Sequence, residues 1–416
     1  MISSAQKYFS NLCPKNIFES MLLLEAEVEK NAFTAWSFAN EDYVASAFWA
    51  NECLLEANRY HPVFDLASLT KPLFLNMYFM LTHDDKYFNF ISRPFVNSIL
   101  QTESMPISLK KFIESDSNLC LNSFLSHKSG LMAWSWMGHK TALEVTNYIL
   151  SHKLNSQKNE IYSDLNYFIL ARIIESSNIS WTEVLQKINT NLSTSFKHAS
   201  LEQNEIVSVP FYPYNSSEGD NKSPSLEFGR AHDTNANIFS SYGKNNNIVS
   251  GHGGLFGNVV DIIHAVKYFA EFFYKQEKKN ENRFMCGFDT PTSEHSTAGV
   301  HHFLQNRHKI FGHLGYSGTS FWLHPETKKY HILLTNRTAK RIHIGANICP
   351  RIYALENIKT KEIFFYSNEK KTFDEVGNIT KTFAGKFKCI WNNKVIPDYK
   401  NISSIRKQIG LNLWDV

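Results

Sequence analysis

The sequence predicts an α+β fold in which an antiparallel sheet is flanked by helices and interrupted by a large helical insert. Two strand patterns come first, a long helix-rich stretch follows, and further strand patterns appear only beyond residue 308. A chain of 416 residues is long enough for such a fold to build one sheet from two distant parts of the sequence.

The first part of the sheet is predicted from a hairpin. Residues 32–39 and 43–50 have the apolar, aromatic-rich composition of strands, and the Asn-Glu-Asp sequence at 40–42 supplies turn chemistry between them. An amphipathic helix is predicted ahead of this hairpin at 14–30, and a strongly apolar helix after it at 68–82.

The helical insert is predicted between about residues 75 and 245. Its stretch from 107 to 200 is helix-rich, with the clearest segments at 141–153 and 165–177. Residues 213–250 are rich in Asn, Ser, Gly and Pro, so we expect a long loop region there that could line a site.

The second part of the sheet follows a helix predicted at 259–275. Three short strand patterns, punctuated by Gly and Pro, lie at 309–312, 319–324 and 330–335.

These elements predict one discontinuous domain over residues 1–355. Its sheet halves lie at about 30–67 and 250–355, on either side of the insert. The remaining residues, 356–416, have runs of strand composition such as 361–366 and 381–391, and we expect them to form a β-rich C-terminal appendage.

Composition and charge favour a globular protein whose partner is not nucleic acid. Hydrophobic residues make up 43% of the chain and charged residues 20%, and the net charge is only +4. Basic pairs are scattered along the sequence, so no surface for nucleic acid is predicted. The oligomeric state is not indicated by the sequence.

No cofactor or metal is predicted. The six cysteines are far apart without a CxxC pair, and no H-E-x-x-H, Walker-type loop or dinucleotide fingerprint occurs. The best apolar run near the N-terminus, Met21–Leu24, is too short for a signal peptide or a membrane span. We therefore expect a cytoplasmic protein, unless it is exported by a route that leaves no N-terminal signature.

Ser68 and Lys71 are the first pair with catalytic potential. They stand at i and i+3 at the predicted start of an apolar helix, so both side chains lie on one face. A lysine in a dry pocket can lose its proton and act as the base that a serine nucleophile requires. Six S-x-x-K matches occur, beginning at serines 4, 68, 108, 241, 367 and 404, and only Ser68 links a short apolar run to a long apolar helix.

Tyr162 and Asp164 form the second pair. Two residues apart and just before an apolar helix, both can face one cleft. A lysine ammonium nearby would favour the phenolate, which makes Tyr162 a candidate proton shuttle. Alternatively, Ser163 or Asp164 caps the helix that follows, and the two roles are compatible.

His313 and Gly315 form the third pair, on a predicted strand. Glycine lets the backbone approach a substrate closely, and a strand N–H can complete an oxyanion hole. We expect this strand to be an edge strand beside the cleft. The alternative is a glycine-rich bend that carries a surface histidine.

The three pairs, in this order, resemble the motifs of one family of serine hydrolases. They are similar to the S-x-x-K, Y-x-N and K-T-G or H-x-G series of class C β-lactamases, D-alanyl-D-alanine carboxypeptidases, D-aminopeptidases and related esterases. The resemblance covers about residues 15–355. The segments that carry it are 65–71, 125–131, 162–167, 251–256, 313–319 and 333–337.

The resemblance implies a β-lactamase/penicillin-binding-protein-like fold and a set of catalytic roles. Ser68 would be the acylated nucleophile, and Lys71 would help to remove its proton. Tyr162 would act as general base and then as acid to the leaving group. The main-chain N–H groups of Ser68 and Tyr316 would form the oxyanion hole.

Substrate-binding roles are implied in the same way, with two departures from the motifs. Gly315 would let the acyl chain lie along the strand. His313 replaces the usual lysine and would contact substrate or tune Tyr162. Asp164 replaces the usual asparagine, so a charge stands where a neutral amide would bind the substrate, which indicates altered substrate choice.

Two further histidines are expected to be structural. His127 would fix a turn with Ser129 and Gly130. His232, with Asp233, would fix a loop by hydrogen bonds.

The sequence therefore predicts a serine hydrolase of a small ester, amide or peptide, such as a peptidoglycan-derived fragment. One alternative is a β-lactamase. The other is a catalytically silent, penicillin-binding-type interaction protein, which the competent residues at all three catalytic positions disfavour.

Overall fold

The computed structural model confirms the α+β class. The predicted helix at 14–30 lies outside the residues that the structure describes. Those residues are 34–40, 44–49, 61–95, 104–135, 137–138, 141–152, 160–202, 208–209, 228–240, 248–277, 282–290, 309–336, 352–357, 363–367, 372–373, 387–389 and 395–396.

The described strands are numbered in chain order. They are β1 (Thr34–Asn40), β2 (Val44–Trp49), β3 (Phe64–Asp65), β4 (Lys197–His198), β5 (Leu255–Gly257), β6 (Phe284–Met285), β7 (Phe288–Asp289), β8 (Phe311–Leu314), β9 (Ser320–His324), β10 (Lys329–Thr335), β11 (Ile352–Asn357), β12 (Ile363–Ser367), β13 (Thr372–Phe373), β14 (Phe387–Cys389) and β15 (Val395–Ile396).

The described α-helices are numbered in the same way. They are α1 (Met77–His83), α2 (Tyr87–Ser92), α3 (Ile107–Glu114), α4 (Leu121–Leu125), α5 (Ala142–Ser151), α6 (Asp164–Ser176), α7 (Trp181–Leu192), α8 (Ala199–Glu202), α9 (Thr234–Ser240) and α10 (Val259–Lys275).

The described strands form three antiparallel sheets. The main sheet has the order β2-β1-β10-β9-β8-β7-β6, so the predicted N-terminal hairpin pairs with strands that follow the helices. Trp36 of β1 lies opposite Thr335 of β10. The prediction that two distant parts of the sequence build one sheet is therefore confirmed.

The second described sheet is small and brings two distant loops together. Its order is β3-β5-β4, with Phe64 opposite Gly257 and His198 opposite Leu255. Since β3 ends just before residue 66 and β5 begins just after residue 254, the loops at those points are neighbours.

The third described sheet lies in the C-terminal part of the chain. Its order is β13-β12-β11-β14-β15. Its first strand, Ile352–Asn357, spans the boundary predicted at residue 355. That the tail is an appended module stays a prediction.

The predicted helices at 141–153, 165–177 and 259–275 are confirmed as α5, α6 and α10. Local sequence explains how α10 begins. The side chain of Asn258 accepts hydrogen bonds from the N–H groups of Val260 and Asp261, at 2.8 and 3.1 Å. These two donors would otherwise have no partner within the helix.

A layer of phenylalanine rings joins α10 to the main sheet. Phe273 stacks on Phe311 of β8 with 3.9 Å between ring centroids, and Phe269 stacks on Phe321 of β9 at 6.0 Å. All four rings are buried. Such aromatic contacts add specific geometry to hydrophobic burial, so the strand that carries His313 is held firmly against the helix.

Helix α6 lies in the core. Every residue from Leu165 to Ile174 is buried, including the polar Asn166 and Arg172. A helix buried on all sides has little freedom to tilt or slide. Its N-terminus, which carries Tyr162, Ser163 and Asp164, is therefore a rigid platform.

Two expectations are corrected by the structure. The strand that carries His313 is not at the sheet edge, because Asp289 of β7 pairs with Gly312 on its outer side. The region 213–250 is not loop throughout, since it contains α9. The residues of α9 are mostly weak helix formers, so their composition did not predict a helix. The Asp233 carboxylate stabilises the start of α9 by accepting from the Ala236 N–H at 2.7 Å.

Candidate active site

Ser68 stands on a tight turn between β3 and a helix. A 3-10 turn, Ala67–Leu69, is followed by a π-helical segment, Lys71–Asn76, that runs directly into α1. The apolar helix predicted at 68–82 is thus confirmed, but its first turns are not α-helical. Single π-helical turns within helices are frequent at functional sites.

The turn is strained just before the serine. Ala67 has φ of 46°, in the left-handed region that a β-carbon disfavours. Three hydrogen bonds hold it there: Ala67 N–H to Asp65 Oδ1 at 2.8 Å, Thr70 Oγ1 to the Ala67 carbonyl at 2.6 Å, and Leu66 N–H to the Leu255 carbonyl at 2.9 Å. Such strain persists only where the surroundings enforce it.

Lys71 is completely buried beside the half-buried Ser68. Its Nζ lies 2.8 Å from Ser68 Oγ, 2.8 Å from the Tyr162 hydroxyl and 2.7 Å from Asp164 Oδ1. The carbonyl of His252 is 3.4 Å away. Burial lowers the pKa of Lys71 from its usual value, while the charges of Asp164 and Asp233 oppose that shift.

Tyr162 closes a triangle with the other two polar groups. Its hydroxyl donates to Ser68 Oγ at 3.0 Å. Burial, followed by the charge of Asp164, raises the pKa of Tyr162 well above its usual range. Burial and the charge of Asp164 both favour the phenol over the phenolate. Tyr162 rests as a neutral phenol.

The sequence allowed either Ser163 or Asp164 to cap the helix, and the structure assigns the cap to Ser163. Ser163 caps α6 by accepting from the Asn166 N–H at 3.2 Å. This leaves the carboxylate of Asp164, which is 18% exposed, to pair with Lys71. The Asp164 N–H donates to the carbonyl of Ala133 at 3.1 Å, which fixes the start of the helix.

His127 holds the backbone around Tyr162, and it is linked to Ser129 through the side chain of Asn166. Its Nδ1 accepts from the Ser163 N–H at 3.0 Å, and its carbonyl accepts from the Ile161 N–H at 3.1 Å. The imidazole also packs against the Tyr162 ring, with 4.7 Å between centroids. The residues on both sides of Tyr162 are thereby clamped by one buried histidine.

His313 is buried, so the alternative of a surface histidine is wrong. Its ring lies 6.0 Å from that of Tyr162, and its Nδ1 contacts the Leu314 carbonyl at 2.7 Å. Nε2 is buried without a hydrogen-bond partner among the described residues. Burial, with a smaller contribution from Lys71, lowers the pKa of His313 to about 3. The imidazole is consequently neutral at pH 7.

Gly315 lets the end of β8 lie against the serine turn. A β-carbon there would meet Thr319 Oγ1 at 2.0 Å and the Leu66 carbonyl at 3.0 Å. Thr319 Oγ1 donates to that same carbonyl at 3.2 Å, and Ser317 Oγ donates to the Asp65 carbonyl at 2.8 Å. The next residue along, Tyr316, is 39% exposed at this end of the strand.

Sequence reasoning missed Asp65. Its carboxylate is buried and accepts from the N–H groups of Ala67, at 2.8 Å, and His232, at 2.7 Å. Burial raises the pKa of Asp65 to about 6. Its position three residues before Ser68 is the one sequence feature that points to a role in the serine turn. The contact with His232 cannot be predicted from a local pattern, because the two residues are 167 positions apart.

His252 and Asp233 also belong to this neighbourhood. The two side chains pair at 3.1 Å, and the His252 carbonyl faces Lys71. Hydrogen bonds fix the loop at His232 and Asp233, as predicted: the His232 N–H donates to Asp65 Oδ2 at 2.7 Å, and Asp233 Oδ1 accepts from the Ala236 N–H at 2.7 Å.

Within the described residues, no cluster of three or more His, Cys, Asp or Glu side chains is arranged to hold a metal ion. None of the helices in that part of the chain is both long enough and apolar enough to cross a membrane.

The sequence from 59 to 347 matches the family model described as Beta-lactamase. No curated protein matches the chain. Solved structures share the fold at low identity. A class C beta lactamase is 11% identical with a TM-score of 0.51, covering 80% of this chain and 93% of that one.

Two more solved structures are similar over the same share of this chain, 80%. A class C beta-lactamase in complex with cefoxitin is 11% identical, with a TM-score of 0.51 and 94% of its own chain covered. EstCE1, a hydrolase with promiscuous acyltransferase activity, is 12% identical, with a TM-score of 0.46 and 94% covered.

Proposed function

The chain belongs to the beta-lactamase family of serine hydrolases, and on that premise we propose that it cleaves a small ester, amide or peptide through an acyl-enzyme at Ser68. One observation carries the proposal. The polar atoms of Ser68, Lys71 and Tyr162 form a closed triangle with sides of 2.8, 2.8 and 3.0 Å. A nucleophile with its base and a proton donor in mutual contact is the arrangement that acyl transfer requires.

Lys71 is the base that activates the nucleophile. In its neutral form the amine accepts the proton of Ser68, while its two N–H bonds are directed at the Asp164 carboxylate and the Tyr162 hydroxyl, at 2.7 and 2.8 Å from Nζ. Ser68 Oγ then bonds to the substrate carbonyl carbon. The neutral form is accessible because burial lowers the pKa of Lys71.

Tyr162 is the acid that releases the leaving group. As the tetrahedral intermediate collapses, the bond to the leaving group breaks and the phenol supplies its proton. Lys71, now an ammonium 2.8 Å away, returns a proton to Tyr162. This assignment follows from the neutral resting state of the phenol. In the second half-reaction the oxygen of a water molecule bonds to the acyl carbon while a water proton passes to neutral Lys71 by way of Tyr162. The bond between the acyl carbon and Ser68 Oγ then breaks, Lys71 returns the proton to Ser68 Oγ, and the acid product leaves.

The oxyanion of the intermediate is assigned to main-chain N–H groups of Ser68 and Tyr316. The close approach at Gly315 supports this assignment, because it sets the residue after Gly315 beside the serine turn. Donors fixed in the backbone stabilise developing charge without rearranging during the reaction.

Aromatic residues follow two of the segments that build the site. Ser68 is half-buried. Two exposed aromatic residues follow residues that contact the site: Tyr316 comes after Gly315, and Trp134, which is 52% exposed, comes after Ala133, whose carbonyl accepts from the Asp164 N–H. Aromatic faces bind apolar and amide groups without a fixed charge requirement. A peptidoglycan-derived peptide is one substrate of this class.

Labelling with a fluorophosphonate probe tests the proposal. The wild-type protein is expected to become labelled and Ser68→Ala is not. Ser108→Ala is the matched control, since Ser108 begins another S-x-x-K sequence on α3, and it is expected to label like the wild type. Labelling of Ser68→Ala, or its loss in Ser108→Ala, would overturn the assignment. An unlabelled wild type would favour the silent interaction protein.

A further inference from the structure

A second ion pair, between a buried histidine and a partly exposed carboxylate, lies beside Lys71. His252 Nε2 is 3.1 Å from Asp233 Oδ1, and His252 is only 2% exposed. The pair is held from both sides. Asp233 Oδ1 accepts from the Ala236 N–H at 2.7 Å, while Gly251 has φ of 78° and sits where a β-carbon would lie 2.3 Å from the Tyr167 carbonyl.

The contacts of His252 identify its protonation state. Nδ1 faces the carbonyl of Ser250 at 3.2 Å, and Nε2 faces the carboxylate of Asp233. Both partners only accept hydrogen bonds, and a neutral imidazole can donate just one. The ring satisfies both contacts only as an imidazolium. In agreement, the pKa of His252 is raised, because the bond to Asp233 and nearby negative charges outweigh burial.

Asp233 acts electrostatically on Lys71. After Asp164, it is the next negative charge that favours the ammonium form of the lysine. A lone carboxylate in that position would hold the lysine proton and so disable the base. A cation paired with the carboxylate cancels most of this field, since the two opposite charges are only one hydrogen bond apart.

We propose that the His252–Asp233 ion pair is a positioning pair that keeps Lys71 able to lose its proton, with His252 neutralising the charge that Asp233 would otherwise impose on the base. The inference rests on the proposed role of Lys71. It gives His252 and Asp233 an electrostatic function beyond the hydrogen bonds that fix their loops.

Other charges near Lys71 do not duplicate this effect. Burial keeps His127 and His313 neutral and keeps Tyr162 and Tyr167 as phenols. The titratable groups that interact with Lys71 or with the pair, apart from one another, are Asp65, His127, Tyr162, Asp164, Tyr167 and His313. All of them remain in place when only His252 and Asp233 are changed, so their contribution cancels in the comparison.

The test is the pH dependence of fluorophosphonate labelling at Ser68 in three variants. In His252→Gln the acidic limb of the profile of labelling rate against pH is expected to move to higher pH by about one unit. The labelling rate at a fixed pH on that limb then falls about tenfold. In Asp233→Asn both charges are lost, because the buried histidine becomes neutral, and the limb stays close to that of the wild type. The double variant is expected to return to the wild-type limb.

A structural role would give a different pattern. It would lower the plateau rate without moving the limb, and the double variant would be worse than either single one. An unmoved limb in His252→Gln, or a double variant shifted as far as His252→Gln, overturns the inference. Absence of labelling in the wild type would instead mean that the proposed function has failed.

A second measurement does not depend on activity or on how well His252→Gln folds. In protein labelled with nitrogen-15 at its 17 histidines, one imidazolium signal is expected at pH 7 that disappears in Asp233→Asn. A spectrum in which Asp233→Asn removes no imidazolium signal contradicts the inference.

Discussion

The Nζ of Lys71 lies 2.7 Å from Oδ1 of Asp164, and the lysine of this pair is completely buried. The carboxylate stands where the motif that the chain resembles usually has a neutral amide. It therefore places a negative charge directly beside the proposed base, Lys71, where water screens it little.

Replacement of Asp164 by Asn is expected to extend activity to lower pH. Asp164 raises the pKa of Lys71 against the effect of burial, so its removal lowers that pKa and populates the neutral amine at lower pH. The acidic limb of the pH–rate profile for a nitrophenyl ester should then move downward. Asp85→Asn, which changes an exposed acid, is the control and should leave the limb unmoved. An upward shift in Asp164→Asn would contradict this reading of the pair.

The protein is expected to hydrolyse nitrocefin less efficiently than a small nitrophenyl ester. Penicillins and cephalosporins carry a carboxylate, and His313, whose pKa is lowered to about 3 by burial, offers it no positive charge. The loss of one charge-assisted contact costs about 1.5–3 kcal/mol, or roughly ten- to a hundredfold in recognition. Specificity constants for the two substrates, with Ser68→Ala as the blank, make the comparison. A large preference for nitrocefin would support the β-lactamase alternative.

Replacement of His127 by Ala is expected to destabilise the fold and to slow catalysis. The variant leaves the buried N–H of Ser163 without its acceptor and opens a cavity under Tyr162. We expect a loss of about 2–4 kcal/mol in the free energy of unfolding, measured by urea denaturation. Because Tyr162 loses its support, kcat should fall more than KM rises. An unchanged kcat in folded protein would mean that Tyr162 does not need this clamp.

Replacement of Gly315 by Ala is expected to abolish labelling at Ser68. The new β-carbon would lie 2.0 Å from Thr319 Oγ1 and 3.0 Å from the Leu66 carbonyl, so the end of β8 must move away from the serine turn. Overpacking of this kind costs about 1–3 kcal/mol in stability.

The double variant Gly315→Ala/Thr319→Ala tests the cause of that loss. It removes the hydroxyl at 2.0 Å and keeps the milder contact with Leu66, so partial recovery of labelling and of stability is expected. If Gly315→Ala alone labels at the wild-type rate, the close approach is not needed for the reaction.

The sequence determined the features that depend on neighbouring residues. The hairpin β1–β2 and the helix α10 follow from local strand composition and helical periodicity, and their predicted ranges agree with the structure. The contact between Ser68 and Lys71 follows in the same way, because a spacing of three residues in a helical turn leaves both side chains on one face.

Tertiary structure decided everything that depends on burial and on distant partners. Tyr162 is 91 residues from Lys71 in sequence, and burial and the charge of Asp164 raise its pKa. The same holds for the neutral state of His313 and for the pairing of His252 with Asp233. The energy of a charge depends on its dielectric surroundings and on every charge near it. Those surroundings exist only once helices and strands from distant parts of the chain have packed together.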